Sequence, residues 1–291
     1  MKKALPQNNQ TNTAILLLVL SCMASAAASL LLRMAGTEAI GTFAKAFLRN
    51  FVVLLFSGAT LYQKGIRPVV KRENYMLLLS RTVLGTISVL AGYYSIDHLI
   101  LADATMLSLL GPLFTVVSSV FVLKEHTTRR QKQLLALAIV GMLLVVKPSW
   151  NFARLFPMLM GLLAAATVGY AFTLVRLMQL QGEDSGVLVF WFSLLSCLFM
   201  LPLALRDTFI FAWEPFLLVI GSGIAGSALQ LFSTRAYGMA PAGTLSVYEY
   251  TQLPFAAVLG WLILSEVPSL SSFLGYLIII TVSVLVFRSD K

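Results

Sequence analysis

From Thr13 onward the chain is a succession of apolar runs, most of them close to the length of a helix that crosses a bilayer. Such a helix needs about 20 mostly apolar residues. Ten runs qualify as candidates: 13–33, 42–62, 74–95, 101–123, 132–147, 157–179, 186–205, 214–236, 242–264 and 270–288. The fifth is short. A lone strand in lipid leaves its backbone unpaired, so helix is the state open to these runs. They are also far longer than the strands of a membrane barrel. The expected fold is all-α and polytopic, with ten transmembrane helices. Composition removes the alternatives. Hydrophobic residues make up 58% of the 291 and charged residues 11%, against roughly 25% charged in a soluble domain. A mean hydropathy of +0.87 says the same. Soluble, disordered, collagen-like and disulfide-scaffold classes are excluded.

The formal charge of +9 follows membrane topology rather than a nucleic-acid partner, because membrane proteins concentrate Lys and Arg in cytoplasmic loops. With the N-terminus placed inside, fourteen Lys and Arg fall on the inner side and five on the outer. Both termini are therefore expected in the cytoplasm, with residues 1–12 as a cytoplasmic tail. Ala26-Ala27-Ala28 resembles a cleavage site. The first run is longer than the core of a signal peptide, however, and reads as an uncleaved helix. Cys22 and Cys197 lie in apolar runs without a Cys or His at metal-binding spacing, and read as small hydrophobes. No connecting segment is long enough for a second domain.

The two halves echo each other. Leu123-Lys124-Glu125 closes the fourth run and Leu264-Ser265-Glu266 the ninth, which puts the glutamates close to half the chain apart. Pro112 precedes Glu125 by almost the same spacing as Pro254 precedes Glu266. Arg33 and Arg176 hold nearly the same offset as the glutamates, and Ala104-Thr105 matches Gly243-Thr244. The chain reads as two five-helix units, 13–147 and 157–288. Five is odd, so the second unit enters the membrane inverted, an architecture of secondary transporters.

These residues carry a family resemblance. Arg81-Thr82-Val83-Leu84-Gly85, Tyr93-Tyr94-Ser95, Leu101-Ala102-Asp103-Ala104-Thr105 and Gly111-Pro112-Leu113-Phe114, with Leu123-Lys124-Glu125, resemble the EamA family of the drug/metabolite transporter superfamily. The second half adds Thr234-Arg235-Ala236-Tyr237, Ala240-Pro241-Ala242-Gly243, Tyr248-Glu249-Tyr250-Thr251 and Gly260-Trp261-Leu262. The resemblance covers about residues 13–288. It implies ten helices in two EamA repeats and transport of a small metabolite, often export. Family substrates include amino acids, nucleosides, S-adenosylmethionine, sugars and organic anions.

Glu249 is the sharpest candidate. It lies roughly 9 Å along a helix from the start of the ninth run, where an acid costs on the order of 3 kcal/mol and needs a purpose or a partner. It reads as a protonatable coupling site or a contact for a substrate amine, against a structural pair with an arginine. Arg49 and Arg81 each lie six or seven residues into their runs. Each is suited to a carboxylate or phosphate in a forked geometry, or to snorkelling toward headgroups. Arg235 closes the eighth run, shortly before Glu249 in the chain, and is a salt-bridge candidate or an interface arginine. Asp97, His98 and Asp103 read as a solvated outer turn, with a proton shuttle at His98 as the sharper alternative. Tyr93, Tyr94, Trp191, Tyr237, Tyr248, Tyr250 and Trp261 are candidates to line a cavity, against packing or interface anchoring. Pro112 and Pro254 each remove a backbone hydrogen bond and can kink a helix. Close-packing small residues fill the eighth run at Gly221, Ser222, Gly223, Gly226 and Ser227.

No phosphate-cradling loop, nucleophile elbow or metal-binding helix motif occurs, so neither enzyme chemistry, nor a cofactor, nor a metal is implied. The expected function is secondary transport of a small polar metabolite by alternating access. The solute is an amino acid, an organic anion or an S-adenosylmethionine-like compound, in a bacterial inner membrane. A membrane-embedded enzyme and a passive channel are the competing classes. The expected partners are that solute and membrane lipid, while proton coupling and a homodimer stay open.

Overall fold

The computed structural model describes residues 8–99, 101–124 and 152–265, with 274, 277 and 281. These residues form α1 (Asn8–Ala35), α2 (Thr42–Gln63), α3 (Tyr75–His98), α4 (Leu101–Ser108), α5 (Gly111–Val122), α6 (Phe152–Leu180), α7 (Ser185–Ala204), α8 (Trp213–Met239), α9 (Ala242–Glu249) and α10 (Gln252–Leu264). Among the described residues no strand forms, and Ile40 and Phe209 make an isolated antiparallel bridge. Among the described residues, six stretches are long and apolar enough to cross a membrane: 10–35, 42–63, 72–98, 155–180, 185–204 and 213–239. The fifth run, most of the tenth, Glu125 and Glu266 lie outside the described residues.

The fourth and ninth runs depart from the continuous helices expected of them. The fourth divides into α4 and α5 at Leu109–Leu110, and the ninth into α9 and α10 at Tyr250–Thr251. Proline accounts for both breaks. It has no N–H to donate to the carbonyl four residues earlier, and its ring opposes that carbonyl. For Pro112 that residue is Ser108, and for Pro254 it is Tyr250. The chain turns more tightly there: Leu110 N–H reaches Leu107 O at 3.1 Å, and Thr251 N–H reaches Tyr248 O at 3.1 Å. Lys124 and Ser265 also share a left-handed backbone, with φ of 53° and 55°, a conformation that ends a helix.

The helix contacts pair across the two halves. α1 packs along α8 and α3 along α6, and α2 lies against α7. The broken helices cross, with α5 against α9 and α4 against α10. Lipid tails are as apolar as leucine, so close packing and interhelical hydrogen bonds hold such a bundle together. Ser222 Oγ on α8 donates to Ala28 O on α1 at 3.0 Å, and Ser88 Oγ on α3 to Ala164 O on α6 at 2.9 Å. Thr86 and Ser196 hydroxyls meet at 2.7 Å, and those of Ser118 and Thr173 at 2.6 Å.

One end of the bundle carries the α1–α2, α3–α4 and α7–α8 connections. There Asp207 caps α2 from a distant loop, accepting Phe43 N–H at 2.7 Å and Ala44 N–H at 3.0 Å. The opposite end carries the α2–α3, α6–α7 and α8–α9 connections. Glu183 there accepts from Lys71 N–H at 3.0 Å and Asn74 Nδ2 at 2.7 Å. Asp184 caps α7 through Gly186 and Val187 N–H.

Two helix backbones meet closely at Gly169 of α6. A Cβ there would lie 2.7 Å from Gly111 O, Phe114 Cβ and Thr115 N of α5. Two of these are backbone atoms, so α5 and α6 must separate to admit a methyl group. Gly169→Ala is expected to lose about 1–3 kcal/mol, the usual range for overpacking, read as a lower thermal midpoint of the detergent-solubilised full chain. Gly92→Ala is the control. Its Cβ would meet Ala164 Cβ at an ordinary 3.7 Å, and its midpoint should not move.

Candidate functional site

A cavity of about 240 Å³ lies where the two broken helices meet. Both halves of the chain line it. α1 contributes Ser21, Ser25 and Ser29, a stripe at helical spacing that keeps one face. Ser88, Tyr93 and Ser95 come from α3, and Phe172 from α6. Gln230 and Ser233 come from α8. The breaks face this space directly. Ser108 ends α4 and Glu249 ends α9, so they hold equivalent places in the two halves, and both line the cavity. Gly111 and Gln252, where α5 and α10 begin, line it as well.

The cavity reaches toward the end that carries the α3–α4 connection, through Leu32, Ile96, Ala104 and Gly161. At the other end the bundle is filled. Val175, Met178, Ala236, Tyr237 and Leu245 are each 0% exposed. Arg176 closes this layer by donating to Tyr237 O and Ala240 O, at the end of α8.

Glu249 is half-buried, and its carboxylate accepts a hydrogen bond from the Tyr237 hydroxyl. Tyr237 is fully buried and stacks on Phe172, ring centroids 4.9 Å apart. Carbonyls freed at the break of α9 are also occupied. Thr251 Oγ1 donates to Tyr248 O at 2.7 Å, and the Cys22 thiol approaches Tyr248 O and Glu249 O at 3.7 and 3.6 Å. Cys22 is thus a cavity-lining thiol at a helix break as well as a small buried side chain. Cys197 is buried, and both cysteines are free.

Arg49 shares the cavity with Glu249. It is 4% exposed, which excludes snorkelling, and its Nη1 donates to Asn50 Oδ1 at 3.0 Å. Arg81 is buried just beyond the lining. Its guanidinium lies 3.8 Å from the centre of the Phe192 ring, and its Nη2 reaches Gln230 Oε1 at 3.5 Å. Gln230 therefore connects Arg81 to the cavity. Arg235 is half-buried, and no ion pair joins it to Glu249 among the described residues. Tyr94 stands outside the lining, stacked on His98 at 4.0 Å and edge-on to Phe156. Tyr248 packs against the cluster around Leu18 and Tyr237, and Tyr250 is buried at 5% exposure. Trp261 is 60% exposed, and Trp191 donates to Pro68 O at 2.9 Å. Of the aromatic candidates, Tyr93 lines the cavity and Tyr237 reaches it through Glu249. Pro112 is the second residue of α5, and Pro254 the third of α10.

Asp97 corrects the solvated turn expected of it. Its carboxylate pairs with Lys45 Nζ at 2.7 Å and accepts from Thr42 Oγ1. The Lys45 and Asp97 side chains are 0% and 4% exposed. His98 is exposed, with Nδ1 at 2.9 Å from Tyr94 O, while the Asp103 side chain lies outside the described residues. Phe172, Gln230 and the serine stripe are lining groups that the sequence reading passes over. The lone amide of Gln230 in an apolar run and the regular serine spacing were the signals available. Among the described residues no cluster of His, Cys, Asp and Glu could hold a metal ion.

Comparison with known proteins agrees with this architecture. The EamA-like transporter family matches twice, over residues 12–147 and 155–288. The pseudopaline exporter CntI of Pseudomonas aeruginosa is 28% identical over 249 residues, covering 84% of this chain and 86% of that one. The riboflavin transporter of Brucella anthropi is 25% identical over 285 residues, covering 94% and 98%. A solved crystal structure superposes with a TM-score of 0.75 over 97% of this chain and 99% of that one, at 13% identity, which is a likeness of fold. Two family matches that together span nearly the whole sequence, on a bundle of long apolar helices, place this integral membrane protein in the EamA-like transporter family.

Proposed function

We propose that the chain is a secondary carrier of a small polar metabolite and works by alternating access. The solute is an amino acid, an organic anion or an S-adenosylmethionine-like compound. The observation that carries this reading is the position of the cavity: it lies at the breaks of two equivalent helices and takes its lining from both halves. Broken helices meeting at a central site are how carriers present polar groups within a membrane. The family and the named relatives support transport over catalysis or a passive pore.

The reading extends to ten transmembrane helices as two inverted five-helix units. Its support is the reciprocal packing of α1 with α8 and α3 with α6. Inversion gives each unit a partner of opposite orientation, so exchanging their conformations moves the opening from one face to the other. In this state the cavity extends toward the α3–α4 end and is packed shut at the other. Lys64, Arg67, Lys71 and Arg72 gather in the α2–α3 connection at the packed end. By the positive-inside rule that end faces the cytoplasm of a bacterial inner membrane, and both termini lie there. Glu249 is the coupling acid and Arg49 the solute-facing cation. Tyr94, Tyr248, Tyr250 and Arg235 support the site from outside its lining.

The test is flux into proteoliposomes holding the full chain, with labelled amino acids, carboxylates, nucleosides and S-adenosylmethionine in pools, with and without a pH gradient. A signal confined to one pool and dependent on the gradient is expected. Flux of every pool at equal rates and without saturation would mean a pore.

A further inference from the structure

Among the described residues, the interior charges do not balance. Lys45 and Asp97 neutralise each other. Glu249 is held by the Tyr237 hydroxyl. Arg49 and Arg81 have no carboxylate partner among the described residues, although they are 4% and 3% exposed. The Nε of each is buried without an acceptor. A guanidinium is always charged, and its donors form a rigid fork. Leaving a buried donor unpaired is costly, so two such forks in one bundle await an acceptor.

The space around each is reserved. Gly226 of α8 faces Arg49, and a Cβ there would stand 2.5 Å from Nε. Gly85 clears Arg81, where a Cβ would stand 2.5 Å from Nη1. Arg49 lies in the first third of α2, which runs from the end the cavity reaches. Arg81 lies in the first third of α3, which runs from the packed end. Gln230 lines the cavity and holds Arg81. Gly226, which faces Arg49, and Gln230, which holds Arg81, are one turn apart on α8. The two cations therefore stand in sequence near the middle of the bundle, Arg49 nearer the end the cavity reaches, and the Gln230 amide touches both environments.

We propose that the carrier's solute bears a carboxylate, and that this group uses two stations in turn. In the present state it docks on Arg49. When the cavity opens to the other end it docks on Arg81, passing Gln230. One guanidinium per station balances one negative charge. A phosphate monoester carries about −1.5 to −2 and would leave charge uncompensated beside Glu249, so a carboxylate is the better fit. This proposal rests on the carrier reading given above and adds to it the chemistry of the solute.

The experiment uses the full chain in right-side-out and inside-out membrane vesicles. The labelled probes are glutamate, lactate and pyruvate, each with one net negative charge, with riboflavin and putrescine as solutes lacking a carboxylate. Saturable exchange of a carboxylate probe is expected. Arg49→Gln should raise its half-saturation at least about tenfold at the face the cavity reaches, and Arg81→Gln by a similar factor at the opposite face. A second measurement needs no variant: phenylglyoxal labelling of the wild-type protein, read by mass spectrometry, should be blocked at Arg49 by that probe and not by putrescine. Saturable exchange of riboflavin or putrescine alone, unchanged by either substitution, would overturn the carboxylate assignment and leave the carrier reading standing. Equal losses at both faces in both variants would overturn the two stations. No exchange of a carboxylate probe at either face, with none of them protecting Arg49 from phenylglyoxal, would overturn this proposal, while the carrier reading stands or falls by the pooled flux described above.

Discussion

Glu249→Gln is expected to uncouple transport from the pH gradient. A gradient of one unit supplies about 1.4 kcal/mol per proton, enough for about tenfold accumulation of a solute carried with one proton. In the wild-type protein the gradient should drive that accumulation; in Glu249→Gln the ratio should fall to about one. Exchange of labelled for unlabelled solute should persist, because the rest of the cavity lining is unchanged. The geometry makes the substitution clean. Glutamine matches glutamate in shape, and its amide oxygen can still accept from the Tyr237 hydroxyl that holds the carboxylate. The ionisable group is removed and the hydrogen bond is kept. Tyr237→Phe is the converse: it deletes the bond and keeps the acid, so accumulation should survive even where the rate changes. Undiminished accumulation in Glu249→Gln would assign coupling to another group and leave Glu249 as a solute contact. The placement of this acid favours the coupling role. It stands on the cavity wall at the break of α9, while the equivalent place at the break of α4 carries Ser108, which does not ionise.

Much of this architecture is legible in the sequence because the bilayer allows few alternatives. Span length and apolar composition place α1, α2, α3, α6, α7 and α8 within a few residues of their observed bounds. Glu249 and Arg49 stand out because an ionised side chain in an apolar run is expensive, and both line the cavity. The echo between the halves marks Pro112 and Pro254. Hydropathy does not distinguish a kink from a break, and the division of the fourth and ninth runs becomes visible only in the backbone. Lys45 and Asp97 read as boundary residues because the apolar runs nominally begin at 42 and end at 95. Their burial depends on α2 and α3 meeting near those ends, a tertiary fact that no single run contains. Phe172 and Gln230 are hidden for the same reason. A phenylalanine in an apolar helix faces lipid, core or cavity according to its neighbours, and Gln230 carries no charge to draw attention to it.

The Lys45–Asp97 pair carries the largest stability effect expected of a single substitution. Asp97→Asn removes the charge and leaves the Lys45 ammonium, 0% exposed, without a counter-ion. Breaking one partner of a buried pair costs about 3–5 kcal/mol, because the remaining charge is neither paired nor hydrated. The asparagine amide keeps an oxygen for the Thr42 hydroxyl, so the loss isolates the charge rather than the hydrogen bond. The thermal midpoint of the purified full chain in detergent should fall accordingly. Removing both charges reverses the effect. A Lys45→Met, Asp97→Leu double variant fills the same volume without an ion to desolvate, and such replacements are often neutral or stabilising. Its midpoint should return to the wild-type value or exceed it. A double variant as unstable as Asp97→Asn would show that the loss does not come from an uncompensated Lys45 charge, and would overturn the ion-pair account. The pair also bears on transport. Asp97 follows Ile96, which lines the cavity and whose carbonyl accepts from Arg33 Nη1 at 2.9 Å. Lys45 and Asp97 therefore tie α2 to α3 at the end toward which the cavity extends. A carrier that opens and closes at this end must keep α2 and α3 moving together or break a dry ion pair in each cycle. The cost of breaking it favours the first, so the double variant should retain its exchange rate while Asp97→Asn loses it in proportion to the fraction unfolded.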